Sequence, residues 1–197
     1  MRAIDNLLQR RSARALTAPA PDAGALDLIF ASAVAAPDHG RLRPWRFIVI
    51  QGDGLGRFGD LLAEHLRRMH PSSNEETLQR ERQKAFRAPM IVVVAAACIP
   101  GGKIPVIEQI LSAGAAAQNI MLAALALGFN SMWKTGGPAY DEHVKTALGL
   151  KAEDAIVGFM YLGTDAGKPD MMQRPSWRDL VRHWGNHNAI AERTVWR

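Results

Sequence analysis

Residues 112–137 read S-A-G-A-A-A-Q-N-I-M-L-A-A-L-A-L-G-F-N-S-M-W-K-T-G-G, and their pattern decides the fold. Alanine and glycine occupy most faces of the first half, so a helix here lets other backbones come close and belongs at the centre of the molecule. Pro105 suits a helix start and Gly128 a helix end, which predicts a helix from 105 to about 127. The apolar run around 110–129 has the length of a membrane span, but Ser112, Gln118 and Asn119 interrupt it. Such side chains are costly in lipid, so the run reads as a buried core helix in which Gln118 and Asn119 need partners. After Gly128 a short strand, F-N-S-M-W, leads to Trp133-Lys134-Thr135-Gly136-Gly137. Glycines there let backbone N–H groups approach a ligand, and Lys134 adds positive charge. A plain helix–glycine–strand connection accounts for Gly128 but not for the Trp-Lys-Thr cluster.

Around this centre the remaining elements follow from periodicity. The run M-I-V-V-V-A-A-A-C-I at 90–99 is continuously apolar, as a strand buried on both faces requires. W-R-F-I-V-I predicts a strand over 46–50, and A-I-V-G-F-M-Y-L-G one over 155–162. Helical spacing predicts helices over 3–11, 22–35 with Asp22 as cap, 55–70 and 139–148. The charged segment 72–86 reads as a solvated helix. Helices and strands in this order make an α+β fold with one sheet between helical layers. The glycine-dense stretch G-D-G-L-G-R-F-G at 52–59 is read as lacking the G-x-G-x-x-G spacing of a dinucleotide-binding turn, and no P-loop is present.

Composition bounds the function. A chain of 197 residues, 48% hydrophobic and 22% charged, has enough apolar material for one ordinary domain. The opening M-R-A-I-D-N-L-L-Q-R-R-S has no apolar core and reads as no signal peptide. The single cysteine, Cys98, excludes an internal disulfide, suits a reducing cytoplasmic setting, and sits in an apolar run as a packed, inert thiol. The net charge of +5 suits nucleic acid or an anionic small molecule. Its arginines cluster at 10–14 and 41–43 beside Gly, Pro and Ser rather than along one helix face, which favours a compact phosphate.

The first of these clusters, R-R-S-A-R at 10–14, ends the first helix. Guanidinium groups take phosphate oxygens bidentately and a serine hydroxyl adds a donor, and an extended exit aims Arg10, Ser12 and Arg14 the same way. A solvated basic turn at a helix end explains the cluster equally well. The second, A-P-D-H-G-R-L-R-P-W-R-F at 36–47, is a proline-stiffened loop in which Asp38 and His39 offer hydrogen bonds to a flat heterocycle.

In this order and spacing, R-R-S, A-P-D-H with P-W, P with E-Q and S-A-G, and I-V-G-F-M-Y-L-G resemble the FMN-dependent nitroreductase family, in particular its compact bacterial NAD(P)H nitroreductases. The resemblance covers residues 3 to about 164. It implies a mostly antiparallel sheet flanked by helices, in an entwined homodimer with FMN at the subunit interface. The activity implied is transfer of reducing equivalents from NAD(P)H to nitroaromatic or related electron-poor acceptors, with no side-chain catalyst. The implied FMN-binding residues are Arg10, Arg11, Ser12 and Arg14; Pro37, Asp38 and His39, reaching the flavin of the other subunit; and Trp133, Lys134, Thr135 and Gly136. For the nicotinamide nucleotide it implies the helix end Ala123, Ala124, Leu125, Ala126, Leu127 and Gly128.

This sequence departs from the family where Arg41 and Arg43 replace an Asn and a Gln common ahead of P-W. It also carries an extension from about 170, in which Trp177, Leu180, Val181 and Trp184 form an amphipathic stretch suited to clasping the partner subunit. Arg174 reads as a surface arginine within reach of a phosphate. His183 and His187 have helical spacing but lack a third ligand, so no metal is expected. The same scaffold also suits quinones, enones, halogenated aromatics or flavin itself as acceptors. A flavin-binding module without turnover and a basic nucleic-acid-binding protein are the remaining alternatives.

Overall fold

The computed structural model describes residues 2–167, 174–181 and 184. The chain divides into a unit Met1–Gly167 and a second unit Lys168–Arg197. The first unit holds helices α1 (Ala3–Gln9), α2 (Ala23–Ala33), α3 (Asp53–Met69), α4 (Glu75–Gln83), α5 (Val106–Ala126) and α6 (Glu142–Ala147). Its strands are β1 (Leu16–Thr17), β2 (Trp45–Gln51), β3 (Met90–Ala96), β4 (Asn130–Lys134) and β5 (Ala155–Asp165).

All strand pairs are antiparallel, in the order β1-β5-β3-β2, and β4 also pairs with β5. Every residue of β3 is buried. Because side chains alternate, Ile91, Val93 and Ala95 enter a core with Phe58 and Leu62 of α3 and Val144 of α6. Met90, Val92 and Val94 enter a second core with Ile29 of α2 and Ile120 of α5. One sheet thus lies between two helical layers, the arrangement the sequence predicts.

Helix α5 is long and apolar enough to cross a membrane, yet it packs on the sheet with Ala113, Ala116, Ala117 and Ala124 fully buried. Asn119 finds its partner in α2, donating to the Ser32 carbonyl at 2.9 Å, while Gln118 is half-buried. Buried Gln109 holds the chain ahead of α5: the Ile99 N–H donates to its Oε1 (2.9 Å), and its Nε2 donates to the carbonyls of Ile99 (3.2 Å) and Ile104 (3.0 Å).

Several boundaries differ from those predicted. Helix α1 stops at Gln9, and the chain then runs extended past the sheet edge. The apolar run at 90–99 leaves the sheet after Ala96, where the Ala97 N–H donates to the Pro44 carbonyl and the Cys98 N–H to Asp154 Oδ1. The helix predicted over 139–148 is a 3-10 turn (Gly137–Tyr140) followed by α6, because the Asp141 carboxylate caps α6 by accepting the His143 N–H at 2.8 Å. Two-residue β1 is unpredicted.

Gly54-Leu55-Gly56-Arg57-Phe58-Gly59 does carry the spacing G-x-G-x-x-G. All three glycines nevertheless lie inside α3, and the flanking strands β2 and β3 are antiparallel. A dinucleotide turn needs parallel strands and a loop that presents N–H groups, so the negative conclusion stands on topology rather than on spacing.

In the second unit, Arg178 lies 5.1 Å over the Trp177 ring, and Trp177, Leu180, Val181 and Trp184 are exposed. His183 and His187 lie outside the described residues.

Candidate functional site

Strand β4 follows α5 through Gly128, whose φ of 89° only glycine adopts readily. One side of β4 pairs with β5. On the other side the segment after α1 runs alongside it: Ser12 and Ser131 form a parallel bridge, and the Ala13 N–H donates to the Ser131 carbonyl at 2.9 Å. The R-R-S-A-R segment and the exit of the long helix, 119 residues apart in sequence by the Ser12–Ser131 pairing, therefore share one sheet edge. Beyond Ser131 no strand covers that edge among the described residues.

Along the segment, alternation assigns different tasks. Arg11 turns inward and forms an ion pair with Asp165 at the end of β5. The same carboxylate accepts Asn130 Nδ2 at 2.7 Å and the Gly167 N–H at 3.0 Å. Ala13 is buried in the core beside α3, whereas Ser12 and Arg14 are exposed. Ser131 Oγ is buried without a hydrogen-bond partner among the described residues.

At the far end of β4, Lys134, Thr135 and Gly136 line an open depression of about 880 Å³. Lys84 and Arg87, from the 3-10 turn that follows α4, add two further cations to its wall. Gly136 has φ 113°, and a Cβ on Gly137 would sit 2.7 Å from His65 Nε2, so both positions call for glycine. Across the wall, His65 Nδ1 lies 2.5 Å from Asp141 Oδ2, with both side chains almost buried. Burial alone would raise the Asp141 carboxyl. The hydrogen bonds from His65 and the His143 N–H, with the charges of His65 and Arg68, outweigh it and hold the group below the usual carboxylate range. Burial pushes the Tyr161 phenol up to about 12, so it stays a protonated donor in the same wall. Trp133 points to the other face of the sheet, donating from Nε1 to the Val157 carbonyl at 3.2 Å.

The loop at 36–47 is elsewhere. The Pro37 carbonyl accepts the Ser112 hydroxyl at 2.6 Å, and that hydroxyl accepts the Trp45 indole N–H at 2.9 Å. His39 Nδ1 lies 2.5 Å from Glu108 Oε2, and Asp38 accepts the Arg43 N–H at 2.7 Å. These contacts fix the loop at the N-terminal half of α5, where Asp38 lines a separate depression of about 660 Å³. Within one chain, Pro37, Asp38 and His39 do not join the residues at β4.

The helix end from Ala123 to Gly128 carries no side-chain donor. Its Ala123, Ala124 and Leu125 carbonyls accept the capping N–H groups, and a helix C-terminus is the negative end of the dipole. Cys98 is a packed thiol, 7% exposed, and burial raises its pKa.

A family model described as the nitroreductase family matches residues 7–164. The chain belongs to the nitroreductase family. The Escherichia coli K12 protein that carries the name NAD(P)H nitroreductase YdjA is 39% identical over 164 residues, covering 83% of this chain and 88% of that protein. A nitroreductase-like protein from Bacillus cereus superposes with a TM-score of 0.80 at 24% identity, over 93% of this chain and 96% of that one. A Desulfovibrio desulfuricans nitroreductase solved in complex with FMN gives a TM-score of 0.71 at 26% identity, over 93% and 97% of the two chains.

The part of the wall formed by His65, Lys84, Arg87, Asp141 and Tyr161 lies outside the three stretches that the sequence pattern singles out. One signal was present: Lys84 and Arg87 immediately precede the strand buried on both faces, a place where exposed charges must face either solvent or a cleft.

Proposed function

We propose that this chain is an FMN-dependent oxidoreductase that takes reducing equivalents from NAD(P)H and passes them to nitroaromatic or related electron-poor acceptors, as a cytoplasmic homodimer. The observation that carries this reading is the convergence of R-R-S-A-R and Trp133–Gly136 on the open edge of β4, beside a depression walled by Lys84, Arg87 and Lys134. The residues present fit FMN. Its phosphate matches Arg10, Ser12 and Arg14, of which Ser12, bridged to Ser131, and Arg14 are exposed. Glycines at 136 and 137 keep the strand exit narrow enough for a flat ring to approach the backbone.

FMN, when bound, supplies hydride transfer between a nicotinamide and an acceptor. The chain's own contribution is position and field. Arg10, Ser12 and Arg14 anchor the phosphate, and Arg11, committed to Asp165, acts by holding that segment against the sheet. Lys134, Thr135 and Gly136, with Lys84 and Arg87, present N–H groups and positive charge where negative charge accumulates on reduction. Trp133 contributes through its backbone. Pro37, Asp38 and His39 complete the site from a second copy, since one chain keeps them apart from β4. The stretch Ala123–Gly128 offers a nicotinamide nucleotide apolar contact only. The relatives' names support the nitro acceptor.

The test is the visible spectrum of the purified protein before and after NAD(P)H. A yellow protein that either nucleotide bleaches supports the reading; a colourless one that takes up no added FMN sinks it. Arg10→Ala and Ser12→Ala should each weaken FMN retention about tenfold, and unchanged retention removes them from the site.

A further inference from the structure

The loop that carries Asp38 and His39 continues through Gly40, Arg41, Leu42 and Arg43 to buried Pro44. Arg41 and Arg43 have φ of 54° and 49°, the left-handed region that long side chains rarely adopt. Both conformations are strained for residues with a Cβ, so the surroundings must impose the shape. They do so from two sides. Asp38 takes the Arg43 N–H, and Arg46 Nη1 closes on the carbonyls of Arg43 (3.1 Å) and Trp45 (2.8 Å).

A loop locked in this way places both arginines on the depression of about 660 Å³ that Trp45 and Phe47 also line. Both rings are fixed: Trp45 by its bond to Ser112, Phe47 by a tilted stack on Phe30 at 5.4 Å. Among the described residues neither guanidinium has a hydrogen-bond or ion-pair partner, and both side chains are exposed. The one carboxylate of the depression, Asp38, is occupied by backbone. Three guanidiniums around an aromatic wall, balanced by a single carboxylate, match a flat organic molecule that bears a carboxylate or phosphate.

We infer that Arg41 and Arg43 form an anion subsite that selects carboxylate- or phosphate-bearing molecules among those meeting the flavin. This rests on the flavin reading above, in which the same loop reaches the cofactor held by a second copy. The anionic group belongs to the electron acceptor or to the 2′-phosphate of NADPH, and the experiment separates these sources.

The FMN-loaded full chain and its Arg41→Gln, Arg43→Gln and doubly substituted variants are compared in two arms. One arm measures kcat/KM for 4-nitrobenzoate against neutral 4-nitrobenzyl alcohol with NADH. The other measures NADPH against NADH with the neutral acceptor. The charged-to-neutral ratio in one arm should fall about tenfold per guanidinium removed, and Arg→Lys at both positions should restore part of it. The arm that moves identifies the source. Ratios unchanged in both arms, or equal losses for both members of each pair, overturn the inference. Benzoate and inorganic phosphate binding, followed by calorimetry on the same proteins, keeps the two readings distinguishable. If the wild-type chain holds no flavin but binds either anion, and the double variant loses that binding about tenfold or more, the subsite stands and the flavin reading alone falls. If neither anion binds a flavin-free chain, both fall.

Discussion

Gly158, in the middle of β5, carries the Trp133 indole on its face, and adding one methyl group there tests how rigidly β4 is held. A Cβ at Gly158 falls 2.3 Å from Trp133 Nε1, 2.7 Å from Met160 Cε and 2.8 Å from Trp133 Cδ1. The Met160 methyl can swing away. The indole cannot, because it belongs to the core beneath α5 and donates to the Val157 carbonyl at 3.2 Å. Restoring a normal contact of about 3.5 Å needs a retreat of more than about 1 Å, which breaks that bond. Overpacking costs roughly 1–3 kcal/mol, a stranded indole N–H roughly 1–3 kcal/mol, and replacing glycine in a strand returns roughly 0.5–1 kcal/mol. Gly158→Ala should therefore lose about 2–4 kcal/mol, a large share of a typical 5–15 kcal/mol total. Urea unfolding followed by circular dichroism gives the midpoint and slope, and tryptophan fluorescence reports the displaced ring. Gly56→Ala in α3 is the control: its Cβ meets nothing within 4 Å, and it should stabilise by about 0.5–1 kcal/mol. A Gly158→Ala protein within about 1 kcal/mol of wild type, or no difference in sign between the two variants, refutes the packing argument.

Asp141→Asn should cost about 1–2 kcal/mol at pH 7 by weakening the tie to His65. Because the folded-state carboxyl lies below its usual value, its contribution is present above the unfolded value near 4 and is lost as pH falls through the folded one; the gap between wild type and variant should close in urea titrations below about pH 4, and a gap that widens there contradicts the assignment. Gln109→Leu removes three hydrogen bonds from a side chain 2% exposed and should cost about 2–4 kcal/mol, with hydrogen exchange of the Ile99 amide accelerating; unchanged protection at Ile99 would show that the amide relies on another acceptor.

The elements most legible in the sequence were those whose pattern is dictated by burial. β3 is apolar at every position because both its faces are covered, and α5 is alanine-rich because it packs on the sheet and on α2. Gly128 marked the turn into β4, and the extended exit from α1 was readable at Ser12, which bridges Ser131. What escaped depends on contacts between distant residues. Two-residue β1 has no period to detect, and the split before α6 depends on a cap at Asp141 that also serves His65. The commitment of Arg11 to Asp165 separates it from its neighbours, although the three basic residues look alike in sequence. The glycines at 54, 56 and 59 show the converse: a literal motif carries no site when the strands around it are antiparallel.

The two places where this chain departs from the rules of a well-satisfied fold are the edge of β4 and the loop at 40–43. At β4 the strand edge is uncovered beyond Ser131 among the described residues, and Lys84, Arg87 and Lys134 converge on the depression at its far end. At the loop, two arginines hold left-handed backbone and have no side-chain partner among the described residues. Under the proposed function an anionic group would bind at each, and they are halves of one site. An isologous contact follows from that division, because a two-fold axis that brings the loop of one copy to β4 of the other does the reverse at the same time and completes both sites. A head-to-tail contact completes one site and leaves the other half open at each end of the assembly. Under that reading, a chain whose ligand-binding residues are split between two ends of α5 works as a symmetric pair, and the symmetry would place Arg41 and Arg43 where they select what meets the cofactor.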